Sequence, residues 1–422
     1  MQTTVDTITI DAARLQSELE HLATITHVEP SPDGTAVTRV VFSPDDLAAR
    51  AWLGDLAAHA GLTVRSDAVG NTFFRLEGTD PSLPAVATGS HIDAIPHAGM
   101  YDGTVGVLGG IEALRAIAAS GIKPRRAIEV IQFTSEEPTL FGIGCLGSRL
   151  IAGVLSPERA DTLHNQADET LHEIRTAAGF VGELDSVRLK PGHYKAFVEL
   201  HIEQGPLLER HGEQIGIVTG IAAPAGYRFV VEGFGGHAGA LLMPDRRDAL
   251  CAAAEIVLSV EKHALATGSI DTVATVGTCD VHPGAVNSVP SRVTLQLDIR
   301  DTDPDRRESV MQAVRADIAE LAARRNVKIT ESQVNADQPA ACDPALVRLL
   351  TDYCQANSIA FRPMVSRAYH DTSFMASICP VTMIFIPCRA GVSHRPDEFA
   401  KPEDIARGSQ LLAFALAELA SE

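Results

Sequence analysis

The chain has 422 residues, 45% of them hydrophobic and 21% charged, a composition that suits a folded globular protein with room for two domains. Its formal net charge of −19 argues against a nucleic-acid partner, which would call for a basic face, and no apolar run is long enough to span a membrane. Seven cysteines lie scattered with no C-x-x-C pair, which points to reduced thiols in the cytoplasm.

The opening residues, MQTTVDTITIDAARLQ, have neither the basic start nor the apolar core of a signal peptide. After an N-terminal helical stretch, apolar strands alternate with helical patterns. PAVATGSHID reads as a buried strand, and GTVGVLGGIEALRAIAASG as a helix stopped by Gly121. RAIEVIQFTSEE is a strand that runs into acids, and FVELHIEQGPLLE does the same with His201. This alternation predicts an α/β domain with a mainly parallel sheet and helices on both faces. From about Gly220 the rhythm changes to β-α-β-β-α-β, ending with NVKITESQV, which predicts a compact ferredoxin-like insert. DPALVRLLTDYCQ, VTMIFIPC and KPEDIARGSQLLAFALAELA then resume the first pattern. The expected division is a discontinuous catalytic domain, residues 1–217 and 335–422, interrupted by an inserted domain over 218–334.

A buried strand that ends in His91 and Asp93 and then delivers Asp102 raises a question of cost. Imidazole and carboxylate are expensive to bury unless something pairs with them. His91, Asp102, Glu136, Glu137 and His201 all fall at or just after strand ends, where active groups of such sheets collect. His394, in GVSHRPDEF, follows another strand. Imidazole nitrogen and carboxylate oxygen suit Zn²⁺, and Mn²⁺ where oxygen ligands are numerous. A pair of divalent ions accounts for the pattern, with Asp102 bridging, His91 on one ion and His394 on the other. A water between them would ionise readily and attack a carbonyl carbon. Of the adjacent acids Glu136 and Glu137, one would ligate and the other move the proton, and a nearby cation relieves their mutual repulsion. The H-E-x-x-H helix of zinc proteases is absent. His21, His27, His59, His97, His164, His172, His193, His211, His263 and His282 are read as ordinary surface or packing groups.

GSHIDAIPHAGMYDG, FTSEEPTLFGIGCLGS, ELHIEQGPLLE, GGHAGALLMPDRRDA, VNSVPSRVTLQLDIR and AYHDTSFMA occur in this order. Together they resemble the amidase/hydantoinase/carbamoylase group of dinuclear metallo-aminoacylases and peptidases. The resemblance implies metal ligands His91, Asp102 (bridging), Glu137, His201 and His394, with Glu136 as general base and acid. It implies substrate contacts from Gln204, His237, Asn287 and Arg300, with His237 also serving the developing oxyanion. Arg300 offers a fork for a carboxylate; its alternative is a surface ion pair with Asp298 or Asp301. The group also implies a homodimer formed through the insert, which acts as a lid, and a cis peptide at Asp102–Gly103.

Where many members carry glycines, this chain reads SRAYHD, Ser366 to Asp371. Arg367 and Tyr369 should make the pocket smaller and more polar, with Tyr369 and His370 touching the substrate. That stretch resembles the branch of the group that cleaves (S)-ureidoglycolate, a small anionic ureido acid, at its carbamoyl C–N bond. The alternatives within the group are an N-carbamoyl-L-amino-acid hydrolase and an allantoate amidohydrolase. A non-catalytic metal-binding protein of the same fold is more remote, since it would have no need of Glu136.

Overall fold

The computed structural model describes residues 8–422, so part of the N-terminal stretch read for a leader, residues 1–7, lies outside the described residues. The chain divides into two compact units. The first runs to Thr219 and resumes over Ala341–Met364 and His370–Glu422; the second comprises Gly220–Ala340 and Val365–Tyr369.

In the first unit, strands Val381–Ile386, Tyr194–Ile202, Ala85–His91 and Ile128–Phe133 lie side by side and parallel. Antiparallel strands extend this centre: Ile215–Ile221 beside Val381–Ile386, and Thr72–Leu76 followed by Thr63–Ser66 beside Ile128–Phe133. The sheet is therefore mixed, with a parallel core. Every residue of Ala85–His91 is buried, as a parallel strand covered on both faces requires. Its side chains alternate between two hydrophobic cores. Val86 joins Leu108, Ile111 and Leu416 on one face, where helices Thr104–Ala119 and Pro402–Ser421 pack. Ala85 and Ala87 join Phe133, Phe197 and Leu146 on the other. Helix Thr104–Ala119 stops as the sequence predicts, with Gly121 at φ 80° just past its last turn.

The second unit is a four-stranded antiparallel sheet in the spatial order Val273–His282, Arg292–Asp301, Ala223–Glu232, Lys328–Ala336. Helices Ala249–Ala266 and Pro304–Arg325 start at Asp248 and Asp303, whose carboxylates accept the first free backbone N–H groups. Both helices pack on the sheet through Ile256, Val260, Leu295, Leu297, Val310 and Val314. The chain order of strands and helices makes this the ferredoxin-like arrangement. Among the described residues no helix is long and apolar enough to cross a membrane, and all seven cysteines are free.

Candidate metal centre

Parallel strands bring their carboxyl ends to one edge of the first unit's sheet. His91 and His201 are themselves strand residues, while Glu136, Glu137 and His394 follow the strands that end at Phe133 and Ile386. Asp102 sits in the turn that opens helix Thr104–Ala119. Its two oxygens divide the site. Oδ1 lies 3.4 Å from His91 Nε2 and 3.2 Å from His201 Nε2. Oδ2 lies 3.6 Å from His394 Nε2, which in turn is 3.0 Å from Glu137 Oε1. Two sets of ligand-type atoms result, His91 with Asp102 and His201, and Asp102 with Glu137 and His394, and Asp102 belongs to both.

The histidines are oriented from behind. His91 Nδ1 is 2.9 Å from the Asp93 carbonyl, and His201 Nδ1 is 2.9 Å from the Ile202 carbonyl. A carbonyl can only accept, so each Nδ1 carries a proton, and each Nε2, the nitrogen a metal would take in this tautomer, faces Asp102. The Gly103 N–H donates to His201 Nε2 at 3.1 Å, which agrees with that tautomer. Three imidazole Nε2 atoms around carboxylate oxygens are a donor set that fits divalent transition-metal ions.

Gly103 is obligatory in this arrangement. It has φ 67°, ψ −43°, and a Cβ there would lie 2.5 Å from Cδ2 and Nε2 of His91. The Asp102–Gly103 peptide is trans, which corrects the cis linkage that the family resemblance implied. The turn is made instead by the positive φ of Gly103, which only a glycine reaches without steric cost.

Glu136 is held but not locked. Its backbone N–H donates to Asp93 Oδ1 at 3.2 Å, and that of Glu137 donates to Asp93 Oδ2 at 3.0 Å. The Glu136 carboxylate accepts from the Cys145 thiol at Oε1, 3.3 Å away, and Oε2 is 3.7 Å from His91 Nε2. Burial raises the Glu136 carboxyl well above the usual carboxylate range; the His91 imidazole opposes this, while Glu137, Asp371 and Asp93 add to it. Burial acts on Asp102 in the same direction, but His201 and His91 outweigh it and hold the carboxylate well below its usual range.

Gln204 and His370 also join this site. Gln204 Nε2 donates to Asp102 Oδ2 at 2.6 Å, and Gln204 Oε1 is buried with no partner. The His370 ring packs edge-on against His201, with centroids 4.7 Å apart. The other expected substrate contacts belong to the second unit. His237 is exposed, in a two-residue strand paired with Ser288–Val289, and the Asn287 carbonyl accepts from the Ala238 N–H at 2.9 Å. Arg300 grips Asp298 through two hydrogen bonds, 2.8 and 3.2 Å, so its fork is engaged by the neighbour that the sequence offered as an alternative. Tyr369 closes the short segment Val365–Tyr369.

Several supporting groups escaped the sequence reading. Glu398 accepts from the Tyr101 and Asp102 backbone N–H groups at 2.7 and 3.1 Å, and Ser393 bridges Glu398 and Asp102 Oδ2. Buried Glu199 accepts from Ser90 and Thr372. Asp371 accepts from Ser148 at 2.5 Å; burial, reinforced by Glu199, raises its pKa to about 8. The one signal in the sequence was clustering: each lies within a few residues of a strand-end histidine or acid.

Residues 87–418 match the family described as Peptidase family M20/M25/M40. The chain is 50% identical to a ureidoglycolate hydrolase of Arabidopsis thaliana, over 98% of this chain and 87% of that protein. It is 37% identical to an N-carbamoyl-L-amino acid amidohydrolase of Geobacillus stearothermophilus, over 97% and 99% of the two chains. Among solved structures, that of AtUAH in complex with glyoxylate is similar with a TM-score of 0.88, at 48% identity and with complete coverage of both chains. A family match over most of the chain and relatives aligned along nearly all of it lead to one conclusion: this chain belongs to peptidase family M20/M25/M40, a metal-dependent hydrolase family.

Proposed function

We propose that this protein is an amidohydrolase that cleaves the carbamoyl C–N bond of (S)-ureidoglycolate, giving glyoxylate, ammonia and carbon dioxide once the unstable products decay. The observation that carries this reading is the near full-length likeness to a ureidoglycolate hydrolase. His91 and His201 would hold one divalent cation, Zn²⁺ or Mn²⁺, and Glu137 and His394 a second, with Asp102 shared between the two sets. Such ions supply positive charge at the ureido carbonyl oxygen and acidity to an attacking water. Glu136, poised by burial to hold a proton, takes one from the water and returns it to the departing nitrogen. Gln204, His237, Asn287, Arg300, Tyr369 and His370 are the proposed substrate contacts, with Asn287 and Arg300 taking the carboxylate and His237 the developing oxyanion. We read the protein as a cytoplasmic homodimer with the inserted unit as its dimerisation and lid domain.

The test is a panel of kcat/KM values, by ammonia release, for ureidoglycolate, allantoate, N-carbamoylglycine and larger carbamoyl amino acids. Ureidoglycolate should lead by several orders of magnitude, because a site built around its hydroxyl leaves buried polar groups unpaired with analogues that lack it (roughly 10⁴-fold). A clear preference for a bulky carbamoyl amino acid would overturn the substrate while leaving the hydrolase intact.

A further inference from the structure

The segment that opens helix Leu146–Ala152 is laid directly along the Glu136 backbone. The N–H groups of Cys145, Leu146 and Gly147 donate in succession to the carbonyls of Glu136, Ser135 and Thr134, at 2.8, 2.9 and 2.9 Å. Gly147 permits this approach: a Cβ there would lie 2.0 Å from Asn71 Oδ1 and 2.8 Å from the Thr134 nitrogen. Ser148 fastens the same turn from the other side: its hydroxyl donates to Asp371 Oδ1 at 2.5 Å and lies 3.2 Å from the Cys145 carbonyl. Cys145 itself is fully buried and sits at φ 56°, ψ 36°, in the left-handed region that few non-glycine residues occupy. A β-carbon is retained there at a cost in backbone strain. What that cost delivers is a thiol 3.3 Å from Glu136 Oε1.

We propose that Cys145 is a positioning residue for Glu136: its S–H donates to Oε1 and keeps Oε2 turned toward His91. This rests on the reading of Glu136 as proton carrier. A thiol suits the task because it is a weak donor. It selects a rotamer and an oxygen without competing strongly for the carboxylate's lone pairs. The burial that keeps Cys145 in a fixed position also keeps it from water and from redox partners, so its role is geometric.

The experiment compares Cys145→Ala and Cys145→Ser in the metal-loaded enzyme, with Glu136→Gln alone and combined with Cys145→Ala. Cys145→Ala should lower kcat roughly tenfold, the scale of a modest misplacement of a reacting group, with KM within about twofold and unchanged bound metal per chain. Cys145→Ser, which restores a donor at the same position, should recover most of kcat. In the Glu136→Gln background, Cys145→Ala should have no further effect. Wild-type kcat in Cys145→Ala would overturn the proposal, and so would Cys145→Ser as poor as Cys145→Ala or a loss confined to metal content or folding. If Glu136→Gln alone keeps wild-type kcat, the proton-carrier reading fails, which is a separate outcome from any result at Cys145.

Discussion

Asp93 Oδ2 accepts the backbone N–H of Glu137 at 3.0 Å, while its other oxygen takes that of Glu136. One buried carboxylate thus fixes the turn that presents both acids, and the Asp93 carbonyl fixes the His91 ring as well. Asp93→Ala should therefore weaken metal affinity by about 10–100-fold, the usual effect of losing a group that orients ligands. Titration of the metal-free protein with Zn²⁺ or Mn²⁺ measures this, and unchanged affinity would show that the turn holds without Asp93.

His91→Ala and His394→Ala should each lose bound metal, and both should lose activity. They approach opposite oxygens of Asp102, so elemental analysis should give about one ion fewer per chain in each. Full metal and full turnover in both proteins would remove the two-ion site.

Glu136→Gln should retain metal but lose roughly 10²–10⁴-fold in kcat, the range attributed to a positioned acid–base group. Single-turnover kinetics separate this loss from any change in product release.

Gly103→Ala places a Cβ against the His91 ring and forces an L-residue to φ 67°. It should cost more than about 1 kcal/mol of stability and displace His91. The measurements are the melting temperature and the metal affinity. An unaltered melting temperature would show that the turn has another conformation open to it.

Asp371 gives the metal-free protein a definite pH dependence. Its pKa is raised from 3.8 to about 8, burial first and Glu199 next. Between those values the folded state binds the proton that the unfolded state has lost, so this group's contribution to stability falls as pH rises from about 4 through about 8. The limiting slope is about 1.4 kcal/mol per pH unit for one linked proton. Asp371→Asn should flatten the curve over this window, as measured by melting temperatures of both proteins at matched pH. Parallel curves would place the linked proton elsewhere.

The parallel core was legible because strands buried on both faces read as apolar runs without alternation, as in Ala85–His91 and Val381–Ile386. The convergence of His91, Asp102 and His201 was legible for a related reason: parallel strands end together, so polar groups at those ends meet. The insert was legible from its change of rhythm. The antiparallel extension of the sheet was not, since a short strand such as Thr63–Ser66 is exposed throughout and carries no apolar period. Glu398 and Ser393 were equally hidden. Their roles depend on a loop returning from almost three hundred residues away to Tyr101 and Asp102, a pairing that no local pattern encodes. The Arg300–Asp298 contact was visible as an option two residues apart, but the sequence could not choose between it and a substrate's carboxylate.

That ion pair would change what the proposed recognition by Arg300 involves. The guanidinium already has a carboxylate, and both side chains are partly open to solvent. An acid that took the Nε–Nη2 edge of Arg300 would do so by exchange, releasing Asp298 to water. The net electrostatic gain would then be the difference between two similar pairs, not the full attraction of one. For the proposed contact, Asp298 would be a tethered competitor whose concentration never falls, so discrimination would pass from charge to the shape and hydrogen bonding of the incoming acid.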